Sequence, residues 1–548
     1  MWRFAGVLLV GLVSSGGLDA QELFWRREGL GGQLGRGFEI YRLGDCNGDG
    51  WDDMLEVGQL SDPSSPAGRS NAVFITSSQD GSVLSSCLAA VWSDAFSLQS
   101  PAPLGDMDQD GVPDYAATVY DATDPMTTQR AEVRSGFTHA ILWTATIPNA
   151  WTNFYGNSLA GEIDLNGDGR LDLIASATRL SPLGTIITYD NAGTEIYRIV
   201  DPLPNVLIGV DVAPLHGDLD GDGIADFLSA GPDTLNRGAV IVFSGKNGNL
   251  LRVSYGLQSG DKLSNTCGCG DLDGDGVVDY AGGGQWGASV VTAFSGATGS
   301  PIHTWRDFTH PNLGINVMSG FDVDQDGVND LIAGADQEGV CVMSGRDGTF
   351  IRQFWTPLPR GAGWGQVLLA PPPGERYPLI VFSEREWSDP ATNPPINNLF
   401  PGLLWAYRGN PLGVRAFGPT DASPGFPQPR SGMRDLAGAP VRFTLSEAPP
   451  NRLAVLSFGT SQASFGQMPL PAPLDPFGMP GITLLASLDM TLFAITGGSG
   501  ANSGYASFDL NATLQASSGA QLYSQWLWFD PSDLAISGST AGQRFWIQ

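Results

Sequence analysis

Asp322-Val323-Asp324-Gln325-Asp326-Gly327-Val328-Asn329-Asp330 runs directly into the apolar stretch Leu331-Ile332-Ala333-Gly334-Ala335. The pattern Asp-x-[Asp/Asn]-x-Asp-Gly-x-x-Asp, followed by a short apolar run, occurs in six segments, starting at Asp45, Asp106, Asp164, Asp218, Asp271 and Asp322. The intervals between them shorten from about 60 to about 50 residues, the length of one four-stranded propeller blade. Around the sixth loop, Gly314–Val317 reads as a strand before the acids and Val340–Gly345 as one after them. Asp347-Gly348 then turns into the alternating stretch Ile351–Trp355. The fourth and fifth repeats close in the same way, with Val240–Gly245 and Val291–Gly296. A seventh unit keeps the strands, as Trp364–Leu369, Leu379–Phe382 and Leu403–Tyr407, but has Pro371-Pro372-Pro373 where the acids should be. The expected fold is all-β: a seven-bladed β-propeller with a C-terminal β-sandwich-like domain.

Each acid loop has the donor set of a hard dication. Calcium takes six to eight oxygens, and carboxylates at alternate positions of a tight loop converge on it. Positions 1, 3, 5 and 9 supply side-chain oxygens, position 7 a carbonyl, and the Gly at position 6 allows the sharp turn. The first loop offers Asp45, Asn47, Asp49, Trp51 and Asp53, and the second Asp106, Asp108, Asp110, Val112 and Asp114. The third offers Asp164, Asn166, Asp168, Arg170 and Asp172, and the fourth Asp218, Asp220, Asp222, Ile224 and Asp226. The fifth offers Asp271, Asp273, Asp275, Val277 and Asp279, and the sixth Asp322, Asp324, Asp326, Val328 and Asp330. An EF-hand would need Glu at position 12, but those positions are Glu56, Ala117, Ala175, Ser229, Gly282 and Ala333. The chain is therefore expected to hold about six calcium ions, one per loop. Three or four carboxylates crowded in one loop repel each other, and an ion offsets that cost.

These repeats resemble the FG-GAP repeats of integrin α subunits over roughly residues 22–418. The Phe-Gly and Gly-Ala-Pro signatures of that family are partly kept, as in Gly37-Phe38 and Tyr155-Gly156. The resemblance implies a seven-bladed propeller in which ions stiffen one face and loops of the opposite face meet a ligand. It does not carry over integrin ligand specificity, because the inserted adhesion domain has no counterpart here.

The formal net charge of −29 argues against a nucleic-acid partner. Met1-Trp2-Arg3, the apolar stretch Phe4–Val13 and the small residues ending at Ala20 read as a secretory signal over 1–20. A membrane span is not expected, since the best later apolar run, Ile482–Ile495, is interrupted by Asp489. The domains read as a propeller over 21–418, a Pro-rich linker over 419–430 and a sandwich-like domain over 431–548. In that last part Trp526 could stack on a sugar, although a place in the core is the simpler reading. Of the five cysteines, Cys46 and Cys87 lie in one repeat and could pair, whereas Cys267-Gly268-Cys269 lacks the spacing of a zinc site.

The sequence contains no G-x-S-x-G elbow, P-loop or dinucleotide fingerprint. The expectation is a non-enzymatic, secreted or surface-bound adhesion module whose partner is an extracellular protein or glycan. A propeller lectin and a polysaccharide-active enzyme are the alternatives. Phe24-Trp25 should supply the strand that closes the ring. The long connections 58–71, 121–130 and 383–402, the last with Arg385 and Trp387, are the expected ligand surface.

Overall fold

The computed structural model describes strands between Leu23 and Trp546 and most of the turns joining them. Residues 1–22 and several connections, among them 29–32, 62–68, 122–127, 149–157, 385–402 and 418–429, lie outside the described residues. By compactness the chain divides into two units, one carrying Leu23–Phe321 and Val328–Tyr407, the other Arg408–Gln548 with the short segment Asp322–Gly327 grouped to it.

The first unit is a series of antiparallel sheets of one kind. The first sheet pairs Gln33–Gly44, Asp53–Ser61, Arg69–Thr76 and Val83–Leu88 in sequence order. The sixth repeats that order with Val317–Phe321, Asp330–Ala335, Gly339–Met343 and Phe350–Trp355. In the second sheet the inner strand is split, so that Asp94–Phe96 and Ala102–Gly105 both pair with Asp114–Asp121. The seventh sheet takes three strands from the end of the series, Ala362–Leu369, Leu379–Glu384 and Leu403–Arg408, and its fourth from the start of the chain, Leu23–Glu28. Strand exchange of this kind leaves the last sheet without an unpaired outer edge at Leu403–Arg408, and it agrees with the closing role read from Phe24-Trp25.

Why the second strands read as unbroken apolar runs follows from their burial. Asp172–Ala177, Asp279–Gly284 and Asp330–Ala335 are buried at every residue, because each sheet is covered by a neighbour on both faces. The core lies between the sheets. One cluster joins Ile174 and Ile186 of the third sheet to Phe227, Ile241 and Phe243 of the fourth. Another joins Ile40 and Met54 of the first sheet to Val367, Val381 and Leu404 of the seventh, so the series closes on itself. Each such large side chain contributes about 1.5–3 kcal/mol when fully buried.

Outer strands also lock onto the hairpin of the next sheet. Trp25 Nε1 donates to the Ser78 carbonyl at 2.7 Å, tying the seventh sheet to the first. Ser254 Oγ donates to the Gly299 carbonyl at 2.9 Å, tying the fourth to the fifth. Gly81 in the first sheet's hairpin and Gly193 in the third sheet's have φ of 73° and 82°. A Cβ on either would lie 2.7–2.8 Å from the Trp25 or Trp143 ring, so glycine is required there twice over.

The second unit holds two larger sheets. One orders Arg415–Phe417, Gly542–Trp546, Gln521–Phe529, Leu453–Gly459 and Met490–Ile495, with Ile536–Ser539 added on Gln521–Phe529. The other orders Arg430–Arg434, Val441–Ala448 and Gly504–Leu510. Arg415–Phe417 thus pairs with the end of the chain, ahead of the Pro-rich stretch. Trp526, opposite Leu456, is 1% exposed and belongs to the core of this unit, which removes it as a sugar platform.

Candidate functional site

The acid loops join the first and second strands of six sheets, and one hydrogen-bond plan builds them. The position 1 carboxylate accepts backbone N–H groups from inside its own loop. In the first loop Asp45 Oδ1 takes Gly48 N at 2.7 Å and Asp45 Oδ2 takes Gly50 N at 2.8 Å. Asp218 repeats both bonds with Gly221 and Gly223 at 2.7 and 2.8 Å. Those amides hold the Asp218 carboxyl below its usual range. The backbone is left-handed at position 6, as foreseen, and also at position 4. There Gly48, Gly167, Gly221 and Gly274 are replaced in two loops by Gln109 and Gln325, with φ of 64° and 62°. The position 4 requirement was visible in the sequence as a second glycine in four of six loops.

The position 9 aspartates differ in kind from the others. Asp53, Asp114, Asp172, Asp226, Asp279 and Asp330 are all fully buried. Each ties loop to sheet. Asp279 Oδ2 accepts Leu272 N at 2.7 Å, and its Oδ1 accepts Gly296 N at 2.8 Å from the sheet's outer hairpin. Asp114 does the same with Met107 and Gly136, and Asp226 with Leu219 and Gly245. The Ser-Gly step of the hairpin was legible in the sequence, but its partner across the sheet was not. In the third sheet that step is Asp190-Asn191, and Asp172 Oδ1 is left buried without a hydrogen-bond partner. Burial pushes the Asp53 carboxyl up to about 7 and those of Asp172, Asp226 and Asp279 up to about 6, with the other loop acids adding to the rise.

Four groups bring three carboxylates within 4.8 Å of one another and could hold a metal ion: Asp106, Asp108 and Asp114; Asp218, Asp220 and Asp226; Asp271, Asp273 and Asp279; Asp322, Asp324 and Asp330. The first and third loops carry Asn47 and Asn166 at position 3, so their donor sets are part carboxylate, part amide. At position 5, Asp49, Asp110, Asp168, Asp222 and Asp275 each accept the position 7 N–H at 2.8–3.0 Å. These bonds orient the residues of position 7, Trp51, Val112, Arg170, Ile224 and Val277. All donors are oxygens, and the unpartnered Asp172 Oδ1 is the kind of atom a hard cation satisfies; the residues fit calcium.

Two expectations about the opposite connections change. Gly58–Ser61 pairs with Arg69–Ala72 in register, with Gln59 Nε2 on Asn71 Oδ1 at 2.9 Å, so the first connection shrinks to 62–68. Tyr120 and Val119 likewise pair with Gln129 and Arg130, which leaves 122–127. Polar cross-strand partners extended both hairpins beyond the point where the apolar pattern ends. Arg385 and Trp387 lie outside the described residues. None of the five cysteines is in a disulfide, and Cys46 and Cys87 pack separately beside one core cluster.

The inner strands of the seven sheets line a central cavity of about 620 Å³. Its wall carries Glu39, bonded to the Tyr41 hydroxyl at 2.8 Å, and Arg42, paired with Asp52 at 2.6 Å. Asp211 accepts Ser158 Oγ and Thr266 N, both at 2.9 Å, and burial pushes its carboxyl up to about 6. Among the described residues, no helix is long and apolar enough to cross a membrane.

No protein-family model matches the chain. It is similar to integrin alpha-5 of Xenopus laevis, with 27% identity over 203 residues, which is 33% of this chain and 15% of the integrin. The chain thus spans a small part of that relative's length. Among solved structures it is similar to BBS1N in complex with ARL6DN, at 12% identity and a TM-score of 0.43, over 71% of this chain and 96% of that one. It is also similar to Sqt1 of Saccharomyces cerevisiae, at 10% identity and a TM-score of 0.43, over 71% of this chain and 99% of that one.

Proposed function

We propose that this chain is an exported, calcium-loaded propeller of the FG-GAP type, seven-bladed, that works as a non-catalytic extracellular binding module. The observation that carries the reading is the recurrence of one loop geometry: an amide-held aspartate at position 1 and a buried aspartate at position 9 facing a shared space. A cation there draws the two ends of the loop and the outer hairpin together through one carboxylate, Asp279 being the clearest instance. The loop acids already accept backbone N–H bonds, so they are committed to holding shape and to the ion, and little of their capacity is left for a substrate. The partial likeness to an integrin α chain supports an extracellular setting and a protein or glycan partner. In this reading about six ions stiffen one rim, and the connections of the other rim, including 385–402, display the contact surface.

Calorimetric titration of the metal-free protein with calcium tests the metal reading, with five to six ions expected and one or none refuting it. Capture of immobilised extracellular-matrix proteins and an array of glycans, with and without calcium, tests the binding reading. Replacing 385–402 by a short Gly/Ser turn should abolish capture while leaving calcium-dependent melting intact. Turnover of a polysaccharide by the intact protein would instead favour an enzyme.

A further inference from the structure

The geometry points to a reversible dithiol–disulfide couple at Cys267 and Cys269, on the inner strand of the fifth sheet. The two sulfurs lie 3.9 Å apart. They share a face because residues two apart on a strand do so. The strand that carries them, Leu263–Gly270, has irregular pairing at Gly268/Gly270 against Tyr280 and Asp279, so its backbone is already bent at the pair. Both cysteines line the central cavity and pack in the core between the fifth and sixth sheets, but Cys267 is half-buried whereas Cys269 is fully buried. Access therefore differs between the sulfurs: a small oxidant reaches Cys267 from the cavity, and Cys269 waits behind it.

The chemistry closes with a small-molecule disulfide as oxidant. The Cys267 sulfur attacks one sulfur of the oxidant, forming a mixed disulfide and expelling one thiol. Cys269 then attacks the Cys267 sulfur, the protein disulfide forms, and the second thiol leaves. Two protein thiols lose two electrons and two protons, and the oxidant becomes two thiols.

Such a bond is labile in character. Residues two apart on an extended strand have Cα atoms about 6.6–7 Å apart, at or beyond the upper end of the usual disulfide span of about 4.4–6.8 Å. The crosslink must pull the strand shorter, and a strained disulfide is more easily reduced than a structural one. Gly268 gives the segment the freedom to shorten. It also has to be glycine, since a Cβ there would lie 2.6 Å from the Leu215 carbonyl of the fourth sheet.

The test uses the full chain in its native state, incubated with oxidised glutathione, then alkylated and digested for mass spectrometry. The peptide holding both cysteines should lose two hydrogens, take up no alkylating agent, and regain both thiols on brief exposure to reduced glutathione. Cys269→Ser should stop at the mixed disulfide on Cys267, and Cys267→Ser should leave Cys269 without glutathione. Free, alkylatable thiols at both positions in the oxidised wild-type protein would overturn the proposal. So would a wild-type chain that stops at the mixed disulfide, or one in which either sulfur is linked to Cys341. The wild-type readout stands even if a variant folds poorly, and it is independent of calcium.

Discussion

The sixth and seventh sheets are built alike but joined differently. Both have four antiparallel strands in the same order, and Gln366 Nε2 bonds the Asn316 and Ile332 carbonyls to stitch one to the other. In the sixth, the first and second strands are joined by Asp322–Asp330, with Asp330 buried at the start of the second strand. In the seventh the connection holds Pro371, Pro372 and Pro373, and Pro378 stands immediately before Leu379, where the other sheets have the buried aspartate. Leu379, Ile380 and Val381 are nonetheless as buried as their counterparts Leu331, Ile332 and Ala333. The comparison teaches that apolar burial between neighbours is enough to make a sheet. Prolines lock φ and remove an N–H that would need a partner, so the seventh connection holds its course without a carboxylate. The acid loops are an addition to the sheet, and the cation proposed for them would offset the mutual repulsion of their carboxylates.

On the proposed calcium reading, the largest expected effect follows from removing the cations from all six loops at once. A ligand at about a hundred times its dissociation constant stabilises by about 2.7 kcal/mol per site, so chelation should lower the melting temperature far more than a matched change in ionic strength. Equal melting curves in calcium and in chelator would make the six loops equivalent to the seventh. Next in size is a single loop. Asp279→Ala strands the Leu272 and Gly296 amides, should cost about 2–3 kcal/mol in calcium, and should remove one ion from the titration count; an unchanged count would detach Asp279 from the metal.

The pH dependence of the metal-free protein sharpens the contrast further. The buried carboxyls of Asp53, at about 7, and of Asp172, Asp226 and Asp279, at about 6, sit above their unfolded values. The folded state therefore binds more protons, and the stability this confers is present below about pH 4 and is lost as pH rises toward about 7. Thermal melts in chelator should fall over that window, and calcium should restore what is lost while releasing protons. A metal-free protein that grows more stable over the same window would contradict the sign. The smallest effect is expected in the seventh connection: Pro378→Ala should change stability by less than about 1 kcal/mol and leave calcium binding untouched. A loss of an ion on that change would show that the seventh sheet also has a metal role.

Much of the repeat and of the turn geometry of the acid loops was legible in the sequence, because it rests on local chemistry. Carboxylates at alternate positions with glycine between them constrain a nine-residue segment whatever surrounds it, and apolar runs at a fixed spacing declare strands buried on both faces. Asp279 as a loop acid could be read from its neighbours alone. That Asp279 also holds Gly296 of the outer hairpin could not, because the two residues meet across a sheet. The same holds for Asp172, whose Oδ1 finds no partner in the Asp190-Asn191 hairpin across the sheet. The tertiary structure alone decided how far the hairpins at Gly58–Ser61 and Tyr120 extend, since cross-strand polar pairs carry no apolar signal. It also decided the placement of Trp526 in a core, and the 3.9 Å approach of Cys267 and Cys269. Composition and periodicity report which face of a strand is covered. Which residues meet across sheets is set by the packing of the whole ring, in which Leu23–Glu28 lies beside Leu403–Arg408 although nearly the whole series separates them along the chain.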